Sequence, residues 1–218
     1  VAAPKADITK SRWTRVSDGV EEICLAHRRG SDPYTTHAFR LAPGKKLPDP
    51  QGSVTREVLV FEGACALDDT VLEEGDFSRR APGYAGTWIT EDGCTLLVKV
   101  GSAQAGQEGP APGEESVLVQ GLFAEWQPGQ GGLKVLPLHA DGPENTALVL
   151  WPANERFMPH KHWGGEEILV LSGTFMDEHG QYPKGTWMQS PHLSSHHPFV
   201  EKETLIYVKT GHLPPVAE

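Results

Sequence analysis

Eight of the ten histidines lie beyond residue 138, and the densest group is His160-Lys161-His162-Trp163-Gly164-Gly165-Glu166-Glu167. In an extended strand alternate side chains share a face, so His160 and His162 point the same way. The glycine pair lets the chain turn, and a carboxylate follows at the start of an apolar stretch. Alternation sends inward either Glu166 with Ile168 and Val170, or Glu167 with Leu169 and Leu171, and does not choose between them. A second group, Pro191-His192-Leu193-Ser194-Ser195-His196-His197-Pro198, follows another strand-like stretch, Gly185 to Ser190. Two imidazoles, a carboxylate and a further imidazole make a borderline-soft N and O donor set. Such a set suits Zn, Fe, Mn, Ni or Cu, and suits Ca and Mg poorly.

The elements that must position these groups are strands. Short segments rich in Val, Leu, Ile and aromatics are broken throughout by Gly, Pro, Asp and Asn, and no amphipathic helix of ordinary length stands out. His179, in Asp177-Glu178-His179-Gly180, falls in a predicted hairpin turn and is expected to shape it. Phe157, Trp163, Tyr182 and Trp187 could line a pocket, although aromatic side chains more often fill a core.

The chain also repeats itself. Glu57-Val58-Leu59-Val60-Phe61-Glu62-Gly63 answers to Glu167-Ile168-Leu169-Val170-Leu171-Ser172-Gly173 at an offset of 110, and Gly75 answers to Gly185 at the same offset. Thr95 to Lys99 matches Thr204 to Lys209 with one small gap, and Ala38 to Pro43 matches Ala147 to Pro152. Two β units of about 100 residues each suggest paired sandwiches or barrels. The stretch from Gly101 to Glu115, rich in Gly, Pro, Gln and Ala, has a linker composition.

Composition narrows the function. With 29 acidic against 19 basic residues, the net charge of −10 excludes nucleic acid as an expected partner, because phosphate binding needs a basic surface. No apolar run approaches the roughly 18 residues of a membrane-spanning helix, and Val1 to Lys10 shows no secretory pattern. Cys24, Cys65 and Cys94 form no disulfide framework or CxxC pair, and Cys65 and Cys94 read as small core residues in a reducing compartment.

Asn154 to Gly173 resembles the first cupin motif, in which HxH is followed by three or four residues, Glu and then Gly. The opening glycine of that motif is replaced by Asn154 or Ala153. Gly185 to His196 resembles the second motif, with Leu193 where a glycine usually stands. The family spacing selects Glu166 over Glu167, and His196 over His192 and His197. More closely, HxHxGGEE, GTFxDEHGxYPxGT and PxxSSH are similar to the cupin-like domain of ChrR-type anti-sigma factors, whose matching three histidines and one glutamate hold zinc.

That resemblance implies an all-β fold of two tandem cupin (RmlC-like jelly-roll) domains, a bicupin. Residues 1–105 would form a degenerate copy without metal ligands and residues 116–218 the metal-binding copy. Asp49 or Pro50, Gly52, Arg56 and Gly86 stand where the first copy would carry its ligands. One divalent metal per chain is implied, held by His160, His162, Glu166 and His196, with zinc first and Fe, Mn or Ni as alternatives. The implied role is that of a regulatory or sensory protein in the bacterial cytoplasm, with a sigma factor as partner; exposed cupin edges suggest a homodimer as assembly. ChrR-type proteins also carry a helical zinc-binding domain with an HxxxCxxC pattern, and a degenerate cupin stands in its place here. The competing expectation is a metal-dependent cupin enzyme acting on a small molecule, an Fe(II) dioxygenase-type oxidoreductase or an isomerase, with His192 or His197 as acid–base candidates.

Overall fold

The computed structural model describes residues 3–28, 33–48, 54–84, 86–102, 116–121 and 123–213. Strands and turns make up the described residues, with no helix among them, as the broken apolar segments lead one to expect. No helix there is long and apolar enough to cross a membrane.

The chain forms two compact units. One comprises Val1–Ser11 with Ala124–Glu218, the other Arg12–Phe123. In the first, a seven-stranded antiparallel sheet runs Ala3–Asp7, Thr186–Ser190, Glu166–Ser172, Thr204–Thr210, Glu144–Trp151, Lys134–Asp141 and Gln127–Pro128. In the second, the main path runs Val117–Val119, Phe77–Arg80, Val54–Leu67, Cys94–Ser102, Tyr34–Leu41, Val20–Arg28 and Thr14–Ser17. The two orders correspond strand for strand. The repeat reaches individual hydrogen bonds: Gly75 N donates to Val60 O at 2.9 Å, and Gly185 N donates to Val170 O at 2.8 Å. Both glycines hold a positive φ that a β-carbon would disfavour.

The units depart from the division at residues 101–115. Residues 3–7 fall in the first repeat by sequence but form the edge strand of the C-terminal unit, paired with Thr186–Ser190. Residues 117–119 fall beyond the linker but pair with Phe77–Arg80 in the N-terminal unit. An edge strand is held by backbone hydrogen bonds, which leave no mark in the residue pattern. Of the linker stretch, residues 103–115 lie outside the described residues.

Each unit has its own core. In the C-terminal unit Trp151, Ile168, Val170, Phe175, Tyr182, Met188 and Ile206 pack together. In the N-terminal unit the core includes Val58, Val60, Leu72, Trp88, Leu96 and Val98, and both Cys65 and Cys94 belong to it. Cys24 is exposed. Tyr182 and Trp187 are fully buried, whereas Trp163 is 73% exposed.

Candidate metal centre

The strand Glu166–Ser172 settles what alternation leaves open. Every residue from Glu166 to Leu171 is buried, so no polar face exists for the pattern to reveal. Glu166 shares its face with Ile168 and Val170 of the core. Glu167 takes the opposite face, where Gln189 Nε2 donates to its Oε1 at 2.8 Å and His212 Nε2 lies 3.2 Å away.

His160 and His162 sit on the short strand His160–Lys161 and just after it, and His160 pairs directly with His196. The loop is pinned by the backbone: Leu193 N donates to His162 O at 2.9 Å and His162 N to Ser194 O at 3.0 Å. Gly164 then turns at φ +72, against Gly211, where an added β-carbon would stand 2.6 Å from Gly211 Cα. These restraints gather the three imidazoles, with ring centroids 4.7–4.9 Å apart. One donor atom from each of His160, His162, Glu166 and His196 lies within 4.8 Å of every other. His162 Nε2 is 3.5 Å and His196 Nε2 is 3.8 Å from Glu166 Oε2. Donors about 2.0–2.2 Å from one shared ion stand about 3–4 Å apart.

Hydrogen bonding at the far side of each ring sets its tautomer. Ser194 Oγ donates to Pro191 O at 2.6 Å, so it must accept from His162 Nδ1, 3.1 Å away. That leaves a lone pair on His162 Nε2. His160 Nδ1 likewise donates to Met158 O at 3.0 Å, which frees its Nε2. Burial pushes the His162 imidazole down to about 3, with His196 and His160 adding to the effect. Burial also lowers His160 and pushes the Glu166 carboxyl up to about 7. His162 Nε2 and Glu166 Oε2 are buried acceptors without a hydrogen-bond partner. Two facing acceptors repel one another unless a proton or a cation lies between them, and a cation shared with His160 and His196 relieves the repulsion and offsets part of the desolvation cost. The donor set therefore fits a borderline divalent ion.

Asp177, unassigned by sequence reasoning beyond its place in the DEHG turn, supports the centre. His196 Nδ1 stands 3.5 Å from Asp177 Oδ2. That is long for a hydrogen bond, yet neither buried atom has another partner. Asp177 Oδ1 accepts from His179 N at 2.7 Å, Gly180 N at 3.1 Å and the Tyr182 hydroxyl at 2.9 Å. Burial pushes this carboxyl up, but the nearby His196 ring and the hydrogen bonds from His179 N and Tyr182 prevail and hold it below the usual carboxylate range. The turn is thus shaped by Asp177, with His179 contributing its amide. A carboxylate opening a two-residue turn, two strands from an HxH pair, was the available signal.

His192 and His197 are not part of the four-residue group. His192 Nδ1 accepts from Gly164 N at 2.9 Å, and its ring meets Trp163 edge-on at 5.5 Å. His197 is exposed, and its amide donates to Glu178 Oε2 at 2.8 Å. Phe157 and Phe175 flank the cluster, at 5.1 Å from His160 and 6.0 Å from His196, and Trp151 packs on both.

Both departures from the expected glycines have backbone consequences. Asn154 takes φ +64 and Leu193 φ +63. Asparagine tolerates this region, but leucine is strained there. Leu193 is 46% exposed, so little burial offsets the strain. Leu193→Gly is expected to raise stability by about 0.5–1 kcal/mol, the left-handed penalty of about 1–2 less the unfolded-state entropy of glycine. A lower melting temperature with unchanged metal content would show that the leucine side chain holds the loop instead.

In the N-terminal unit Asp49, Pro50 and Gly52 lie outside the described residues. Arg56 takes the strand position that Glu166 holds in the other unit, and Gly86 is half-buried.

The family described as ChrR Cupin-like domain matches the chain twice, over residues 3–104 and 114–214. No curated protein matches in sequence. Among solved structures, protein Ylba from E. coli is similar at TM-score 0.73 and 14% identity, covering 97% of this chain and 92% of that one. A cupin 2 conserved barrel domain protein from Leptotrichia buccalis is similar at 0.67 and 15%, covering 96% and 97%. A point mutant of Bacillus subtilis oxalate decarboxylase is similar at 0.69 and 13%, covering 99% and 79%. At these identities the likeness shows the fold, two cupin barrels in tandem.

Proposed function

As the chain belongs to the ChrR cupin-like domain family, we propose that it is a bicupin holding one divalent metal ion in its C-terminal unit and acting as a regulatory or sensory module. The observation that carries metal binding is the pair of buried facing acceptors, His162 Nε2 and Glu166 Oε2, 3.5 Å apart. His160, His162, Glu166 and His196 are the ligands. Zinc is the first candidate and iron, manganese and nickel the alternatives. Four protein ligands on tetrahedral zinc would close the site, as structural and sensing sites require. A sigma factor as partner and a homodimer as assembly belong to the same proposal.

One observation favours a second reading, a small-molecule enzyme of the dioxygenase or isomerase type. His160 is only half-buried and Met158, whose carbonyl accepts from its ring, is exposed, so the His160 side of the cluster is less covered than the His162 and His196 sides. Similarity of fold to oxalate decarboxylase is compatible with this reading. A bound ion would supply Lewis acidity there. Asp177 would hold the His196 ring, while Phe157, Phe175 and Trp151 would keep water from the inner side.

Cobalt(II) substitution separates the readings. An intense four-coordinate visible spectrum unchanged by azide supports the closed, regulatory site. A weak spectrum that shifts saturably with azide supports the enzyme. Failure of the protein to take up cobalt contradicts both.

A further inference from the structure

Two of the cysteines meet inside the N-terminal unit. Cys94 stands directly opposite Gly63 where the strands Val54–Leu67 and Cys94–Ser102 pair. Cys65 follows Gly63 by two residues, so both side chains leave on the core face. They belong to one packed cluster with Leu41, Leu67, Leu72 and Trp88, and the Cys65 thiol donates a hydrogen bond to the Cys94 sulfur. The Thr90 hydroxyl pins the backbone on either side of that contact. It donates to Ala64 O at 2.7 Å and accepts from Gly93 N at 3.0 Å, and these are the residues immediately before Cys65 and Cys94. Gly63 permits the close approach of the two strands: its φ is +78, and a β-carbon there would stand 3.2 Å from Cys94 Cα.

The two thiols differ in role. Accepting from Cys65 holds the Cys94 thiol below its usual range, while donating pushes the Cys65 thiol up, with burial adding to the effect. The thiolate is the nucleophile, so Cys94 is the attacking group and Cys65 the resolving one. Cys94 also lines a cavity of about 360 Å³ with Leu41, Gly63 and Gly93, which lets a small oxidant approach a residue that is otherwise buried.

We infer that Cys65 and Cys94 form a peroxide-reactive dithiol, which closes reversibly to a disulfide within the N-terminal unit. The Cys94 thiolate attacks one oxygen of hydrogen peroxide, the O–O bond breaks, and Cys94 becomes a sulfenic acid. The departing hydroxide takes up the proton that Cys94 released and leaves as water. The Cys65 sulfur then attacks the Cys94 sulfur, the S–O bond breaks, and hydroxide departs with the Cys65 proton as a second water. Two electrons pass from the thiols to the peroxide, and a dithiol reductant returns them. This site is independent of the metal centre and of the function proposed for it.

The test uses the full chain as purified, carrying Cys24→Ser, which removes the exposed thiol and leaves the pair intact. Hydrogen peroxide followed by thiol titration in denaturant should show both remaining thiols consumed together, and dithiothreitol should restore both. Peptide mapping without reduction should show Cys65 linked to Cys94 of the same chain, with metal content unchanged. In the same background Cys65→Ala should stop at a Cys94 sulfenic acid that dimedone traps, and Cys94→Ala should keep its Cys65 thiol unreacted. If either alanine variant folds poorly, the thiol count and the linkage in the Cys24→Ser chain decide the matter by themselves. Persistence of both thiols under peroxide, a loss that dithiothreitol does not reverse, or linkage only between chains would overturn the inference.

Discussion

Replacing His160 and His162 together by alanine is expected to reduce bound metal to background and to lower the melting temperature of the C-terminal unit by more than about 10 °C. An ion that binds only the folded state contributes about 3–4 kcal/mol when its free concentration is 100–1,000 times the dissociation constant, and about 1 kcal/mol moves a unit of this size by about 4–8 °C. His162 is buried, with Nε2 unpartnered and facing Glu166 Oε2, so its removal takes away one ligand and leaves the carboxylate facing fewer donors. Chelation of the unsubstituted protein should reproduce most of the shift, because the lost term is binding energy and not packing. Retention of a stoichiometric ion by the double variant would place the metal elsewhere.

Asp177→Asn is expected to weaken metal affinity about 10–100-fold with little loss of the folded state. The amide oxygen can still accept from His179 N, Gly180 N and the Tyr182 hydroxyl, which all converge on Oδ1 in the parent. The change falls on the other atom. An amide NH2 replaces Oδ2 opposite His196 Nδ1, so the ring must accept there and carry its proton on Nε2. A protonated Nε2 cannot ligate. Asp177→Ala should show the same loss with added instability, since three donors lose their acceptor. Metal affinity measured by competition with a chelator, alongside thermal melting, separates the two effects. Unchanged affinity in Asp177→Asn would mean that the 3.5 Å contact does not govern the His196 tautomer.

Which parts of this were legible in the sequence follows from what leaves a pattern. The repeat between Glu57–Gly63 and Glu167–Gly173 was visible because core strands must repeat apolar residues, and a glycine at a positive φ, such as Gly75 or Gly185, has few substitutes. The HxH pair was visible because strand alternation makes its two rings share a face. Glu166 was not separable from Glu167 by pattern, since both faces of that strand are buried, and only the family spacing singled it out. Asp177 was missed because its role depends on a fold that brings a hairpin turn beside His196. The exchange of edge strands was invisible for a different reason: Ala3–Asp7 is placed by backbone pairing, which any short extended segment can supply.

The proposed centre holds one ion per chain between three imidazoles and a carboxylate. Elemental mass spectrometry with X-ray absorption on tag-free protein, purified without added metal, tests it most directly. Close to one divalent ion per chain is expected, with an N and O shell at about 2.0–2.2 Å and no sulfur shell. No bound metal, two ions per chain, or a sulfur shell at about 2.3 Å pointing to Cys65 and Cys94 would contradict it.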